Sequence, residues 1–138
     1  MHHAAKIAQI DDFITSMEKG LDSQVSQRGS NFSGGQRQRL SIARAIIRKP
    51  DIYIFDDSFS ALDFKTDARL RKALKQEVAD SAVIIVAQRI STILDADQII
   101  VLDEGRIVGE KAHIKELLED CPVYQQIAWS QLSEEELA

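Results

Sequence analysis

The chain has 138 residues, 44% hydrophobic and 28% charged, with a formal net charge of -5. These values are those of a soluble globular protein with one modest core, or of part of a larger domain. The acidic balance argues against a general nucleic-acid binder, which carries a basic stripe. The longest apolar run also falls far short of the roughly 20 residues that a membrane span requires. No signal-peptide pattern opens the chain. Cys121 is the single cysteine, so no internal disulfide can form, which fits a reducing compartment; it is read as filling space rather than reacting.

In chain order, residues 4–17 read as a helix, with Ile7, Ile10 and Ile14 on one side and Asp11 and Asp12 opposite. Gly20 closes it, and residues 21–29 form a polar connector ending in Gln27-Arg28-Gly29. A second helix opens at Ser33, a good N-cap, with Gln36 completing an S-x-x-Q capping box. Gly34 and Gly35 lack a β-carbon, so a ligand can approach the backbone N–H groups there, at a helix start whose dipole suits phosphate. Leu40, Ala43 and Ile47 give this helix an apolar face, Arg48 and Lys49 suit its negative end, and Pro50 stops it.

Residues 52–55 are continuously apolar, as a strand buried on both faces must be, and lead into the paired carboxylates Asp56 and Asp57. Residues 64–78 read as a helix with Asp63 as N-cap and Leu70, Leu74 and Val78 facing inward. Residues 82–87 form a second buried strand, so that strand, helix and strand make a parallel βαβ unit. Strands at 99–102 and 106–108 are joined as a hairpin through Asp103-Glu104-Gly105. Helices over 113–118 and 123–132 follow, and residues 133–138 read as an acidic, solvated tail. No internal repeat or low-complexity segment is present.

Phe32-Ser33-Gly34-Gly35-Gln36, a helix, an apolar strand ending in Asp56-Asp57, and then Ser60-Ala61-Leu62-Asp63 resemble, in order and spacing, the signature motif (usually LSGGQ), Walker B strand and D-loop of the ATP-binding cassette (ABC) family. The resemblance implies an α/β fold: a P-loop NTPase-like parallel sheet with flanking helices, incomplete, plus part of the family's helical subdomain. It implies a division into residues 1–48 (helical subdomain with the signature), 49–132 (C-terminal part of the RecA-like core) and the tail. A Walker A loop, G-x-x-x-x-G-K-[ST], would supply the Lys and the Mg²⁺-holding hydroxyl; the sequence contains none, and Gly29 to Gly34 is followed by Gly35 instead of Lys. The adenine-stacking aromatic and the Q-loop strand are missing as well. The chain therefore resembles a C-terminal fragment of such a domain and is expected to be inactive alone.

By the same resemblance the cofactors are ATP and Mg²⁺, with Asp56 as the Walker B residue that positions Mg²⁺. Ser33, Gly34, Gly35, Gln36 and Asp63 are the nucleotide-contacting residues. Asp57 stands where the family has the Glu that activates water, and Gln88 where it has the switch His. Asp is shorter by one methylene, and a general base must lie within hydrogen-bond reach of its water; Gln does not titrate near neutral pH. Gln27 stands where related exporters usually have Glu. These departures resemble the degenerate subunit of a heterodimeric ABC exporter, in which two ATPase domains meet head to tail. Asp57 and Gln88 then serve one site, and the signature serves the partner's. The implied location is the cytoplasmic face of a membrane, beside a transmembrane domain that the chain lacks; the fragment itself is expected to be soluble, with no nucleic-acid partner. Two other readings are a DNA-organising ATPase of the SMC type and a non-catalytic or regulatory chain. The first requires a long heptad coiled coil before the signature and a basic surface, and residues 4–29 show neither.

Overall fold

The segment expected as one helix over 4–17 is broken in two. In the computed structural model, which describes residues 1–131, α1 (His2–Ile7) and α2 (Asp11–Ser16) are separated by Gln9 at φ 57. This left-handed residue lets its own N–H reach the Lys6 carbonyl at 3.0 Å and the Ile10 N–H reach the Ala5 carbonyl at 2.9 Å. That is a Schellman ending, with Gln in the position that glycine usually takes. The break keeps the expected inner side together: Ile7, Ile10 and Ile14 are all buried, Ile10 completely.

The chain divides into two compact units, Met1–Val86 and Ala87–Ala138. The first holds α1, α2, α3 (Gly34–Arg48), β1 (Ile52–Asp56), α4 (Phe64–Glu77) and β2 (Ala82–Val86). β1 and β2 pair in parallel, Ile52 against Ala82 through Asp56 against Val86, with α4 as the crossover. The core gathers Ile10, Ile42, Ile46, Tyr53, Phe55, Phe59, Leu70 and Leu74. α3 sits about one residue out of phase with the sequence reading. Ile42, Ala43 and Ile46 are buried, Leu40 is partly buried, and Ile47 is exposed. Two adjacent isoleucines leave the phase of a helix undetermined by pattern alone.

β1 also departs from expectation. Its residues alternate, with Tyr53 and Phe55 buried but Ile52 and Ile54 exposed, so one face of the strand is covered rather than both. β2, expected to be buried, is exposed at every residue except the partly buried Ile85. Tyr53 stacks on Phe55 at 5.9 Å between ring centroids, and Phe55 meets Phe59 at 5.5 Å. α4 forms as read: the Asp63 carboxylate accepts from the Thr66 N–H at 2.9 Å, and Leu70, Leu74 and Val78 are buried.

The second unit is a hairpin carrying two helices. β3 (Ile99–Asp103) and β4 (Arg106–Lys111) pair antiparallel, with a register shift between Val101 and Leu102. Glu104 and Gly105 both take positive φ, 46° and 76°, the geometry a two-residue hairpin turn demands. α5 (Ile114–Asp120) lies close on β4. A β-carbon at Gly109 would come within 3.0 Å of both Cys121 Sγ and Leu117 Cδ2. α6 (Pro122–Trp129) completes the core of Ile90, Ile99, Val101, Leu117, Cys121, Tyr124 and Ala128. Cys121 is buried, in keeping with a space-filling role. Residue 132 and the tail read over 133–138 lie outside the described residues.

Candidate functional site

The site in the first unit is built around the start of α3. Ser33 caps it: the Ser33 hydroxyl accepts from the Gln36 N–H at 3.2 Å, and the Ser33 N–H donates to Gln36 Oε1 at 2.8 Å. Both halves of the predicted capping box are present. The loop leading in is held by side chains. Asn31 accepts from the Ser26 N–H and donates to the Gln24 carbonyl, both at 3.1 Å. Arg37 donates to the Phe32 carbonyl at 3.0 Å and to the Gly29 carbonyl at 3.5 Å. Phe32 is buried and meets Phe13 edge-on at 5.8 Å. Arg39 donates to the Gly35 carbonyl at 3.3 Å and, through Nη1, to the carbonyl of Gln9, the residue that breaks the first helix.

The two glycines have different duties. A β-carbon at Gly34 would meet Ala61 Cβ at 3.5 Å, an ordinary contact, whereas one at Gly35 would lie 2.9 Å from the Ala61 carbonyl oxygen. Gly35 is thus required for the close approach of α3 to residue 61, and the ligand-approach argument from sequence applies most cleanly to Gly34.

Asp56 and Asp57 end β1, and both are exposed. The Asp57 N–H donates to the Val86 carbonyl at 3.1 Å, and its backbone then turns at φ 47. The loop continues through Ser60 and Ala61 to Asp63, whose carboxyl is held below the usual carboxylate range by the Thr66 N–H it accepts. Among the described residues no group of three or more His, Cys, Asp or Glu is placed to hold a metal. Paired carboxylates suit a cation that keeps several of its own waters, as Mg²⁺ does.

Ser33, Gly34, Gly35, Gln36, Asp56, Asp57 and Asp63 therefore share one compact unit, with α3 packed against the loop at Ala61. Gln88 lies in the second unit, where it is exposed. Its carbonyl accepts from Gln131 Nε2 at 2.6 Å while Gln131 Oε1 accepts from the Ile90 N–H at 3.0 Å.

The ABC transporter family model matches residues 3–60, a stretch that contains the capped loop, α3 and β1 with its carboxylates. An uncharacterized ABC transporter ATP-binding protein of Mycobacterium tuberculosis (strain ATCC 25618 / H37Rv) is 53% identical over 131 residues, which is 95% of this chain and 22% of that protein. The chain is thus similar to ABC transporter ATP-binding proteins across 95% of its own length.

An ATP-dependent lipid A-core flippase of Vibrio vulnificus is 40% identical over 134 residues, 97% of this chain and 23% of the flippase. The structure of a bacterial Atm1-family ABC exporter with ATP bound is similar at a TM-score of 0.90 and 38% identity, covering 96% of this chain and 23% of the exporter. The chain thus spans between a fifth and a quarter of the length of these relatives, and the fold class expected from the sequence is the one found. ABC ATPase domains bind ATP with Mg²⁺. Among the described residues no helix is long and apolar enough to cross a membrane.

The first unit brings together the three segments that resemble the family's signature, Walker B strand and D-loop. The sequence reading missed three residues that hold them: Arg37, Gln38 and Arg39. The polar run Gln36-Arg37-Gln38-Arg39 reads as a solvated helix start and carries no local signal of these contacts, those of Gln38 and the Arg39–Gln9 bond reaching 19 to 30 residues along the chain.

Proposed function

We propose that this chain is the C-terminal portion of the ATPase domain of an ABC exporter and acts as one of two unlike ATPase domains that meet head to tail. It presents a sound signature to the ATP held by its partner and keeps altered catalytic positions for itself. The contrast within one unit supports this reading most strongly: the capping box at Ser33 is complete, while the position after the Walker B Asp56 carries Asp57 in place of the family's Glu.

Ser33 and the N–H groups at the start of α3 stabilise negative charge on the partner's γ-phosphate, where aligned donors and the helix dipole favour an anion. Asp56 positions Mg²⁺ through its hydration shell, and Asp63 acts within the D-loop. Asp57 is a carboxylate able to accept a proton from water, but its side chain is retracted by one methylene. A displacement of about 1 Å at a reacting group can cost on the order of a hundredfold in rate. Gln88, at the switch position, donates a hydrogen bond but does not cycle a proton near neutral pH. Residues 1–48 contribute to the helical subdomain and residues 49–132 to the RecA-like core. The assembly couples ATP binding and hydrolysis to export at the cytoplasmic face of a membrane, alongside transmembrane segments outside this sequence.

Because this sequence carries no Walker A Lys or Ser/Thr, the isolated chain is expected not to bind Mg-ATP in the micromolar range. Isothermal titration checks this: a flat trace is expected, and a clean micromolar isotherm abolished by Asp56→Ala contradicts it.

A further inference from the structure

Gln38 is one turn into α3, half-buried, and tied to three points of one loop. Its Nε2 donates to the Asp57 carbonyl at 3.1 Å and to Ser60 Oγ at 3.0 Å, and its Oε1 accepts from the Ala61 N–H at 3.0 Å. The partners fix the orientation of the amide, since a carbonyl requires a donor and an N–H requires an acceptor. Only a side chain with both functions on a flat end spans residues 57 to 61 in this way. Asp57 is held at its other end as well, its N–H donating to the Val86 carbonyl at 3.1 Å. Between these two ties its backbone sits at φ 47, a region that a residue with a β-carbon enters at a cost. Gly35, three residues before Gln38 on the same helix, adds a second junction through its close approach to the Ala61 carbonyl.

We infer that Gln38 is a positioning residue that couples the first turns of the signature helix to the backbone of Asp57, so that a displacement of one is carried to the other. Its catalytic consequence rests on the proposed function. The signature meets one ATP and Asp57 attends the other, so Gln38 lies on the path by which occupancy of the partner's site alters the carboxylate of this chain's own. A hydrogen-bonded amide carries the displacement in both directions because it both pulls on a carbonyl and is pulled by an N–H.

Amide hydrogen exchange on the full 138-residue chain tests the coupling apart from any activity. Ser33→Ala frays the start of α3 by removing its cap. It is combined with Gln38→Met, which keeps length and loses all three bonds, and with Gln38→Leu, which loses the same three bonds on a shorter side chain. With Gln38 in place, Ser33→Ala speeds exchange at Ala61 and Leu62. In Gln38→Met these amides already exchange about tenfold faster, the scale expected when a local hydrogen bond is lost, and Ser33→Ala adds nothing further. Gln38→Leu gives the same non-additivity and serves if the Met variant does not fold. Equal acceleration by Ser33→Ala in all backgrounds, or none in any, overturns the inference. In the assembled ATPase, Gln38→Met lowers kcat while the KM for ATP is unchanged; a rise in KM at unchanged kcat also overturns it. An assembly that hydrolyses no ATP removes the proposed function, and the exchange cycle then decides the coupling alone.

Discussion

In the assembled two-domain ATPase, Gly34→Asp is expected to cut ATP turnover by about 10²- to 10³-fold, the range seen when one stabilising donor of a reacting oxyanion is removed. Asp57→Asn is expected to leave turnover nearly unchanged. Gly34 is the better position for this test than Gly35. A side chain at Gly34 meets only Ala61 Cβ at 3.5 Å, whereas at Gly35 it meets the Ala61 carbonyl oxygen at 2.9 Å, which mixes a packing fault into the result. An Asp in the first turn of a helix is favourable to the dipole, so the variant folds. What it changes is the charge at the seat meant for phosphate, placing a carboxylate where the partner's γ-phosphate has to sit. Asp57→Asn removes a base from a site already slowed by the shorter side chain, so little remains to lose. Steady-state ATPase assays on the two variants check the pair. Abolished turnover in Asp57→Asn with full turnover in Gly34→Asp would make Asp57 the working base and reverse the assignment.

The second large effect concerns association. Ile54 and Ile84 are register partners in the parallel pair, so they share a face with Ile52 and Val86, and Ile54 is 68% and Ile84 52% exposed. A continuous apolar sheet face of this kind, beside open strand edges, invites a second chain. The 138-residue chain is expected to self-associate as its concentration rises. Ile54→Lys combined with Ile84→Lys is expected to render it monomeric with its melting point nearly unchanged, because exposed substitutions shift stability by only about 0.5 kcal/mol. Light scattering with a thermal melt reads both quantities. Were the two lysines to destabilise the chain by about 2 kcal/mol or more each, as removal of buried apolar side chains does, the face would be covered rather than bare.

What could be read from sequence was local. The capping box at Ser33 and the cap at Asp63 each close within three residues, and residue type alone announces them. The hairpin turn at Glu104-Gly105 is of the same kind. The break at Gln9 was hidden because glycine, the usual mark, is absent, and because the carbonyl of Gln9 finds its donor thirty residues on, at Arg39. The phase of α3 was hidden by the adjacent Ile46 and Ile47. The one-sided burial of β1 was hidden by an unbroken apolar run, which looks the same whether one face or two are covered. Gln38 escaped for a different reason: its partners lie 19 to 23 residues away, and no periodicity encodes a contact across that span. The family motifs themselves were legible because their chemistry fixes residue types at fixed offsets.

The central claim is that the two ATP sites of the assembly are unequal, and that the slow one is served by Asp57. A single-turnover count of ATP cleaved per assembly, with labelled Mg-ATP and enzyme in excess, tests it most directly. One ATP is expected to be cleaved in the fast phase and the second retained, and Asp57→Glu with Gln88→His is expected to bring cleavage of the second into the fast phase. Two ATP cleaved at one common rate by the unsubstituted assembly would contradict it.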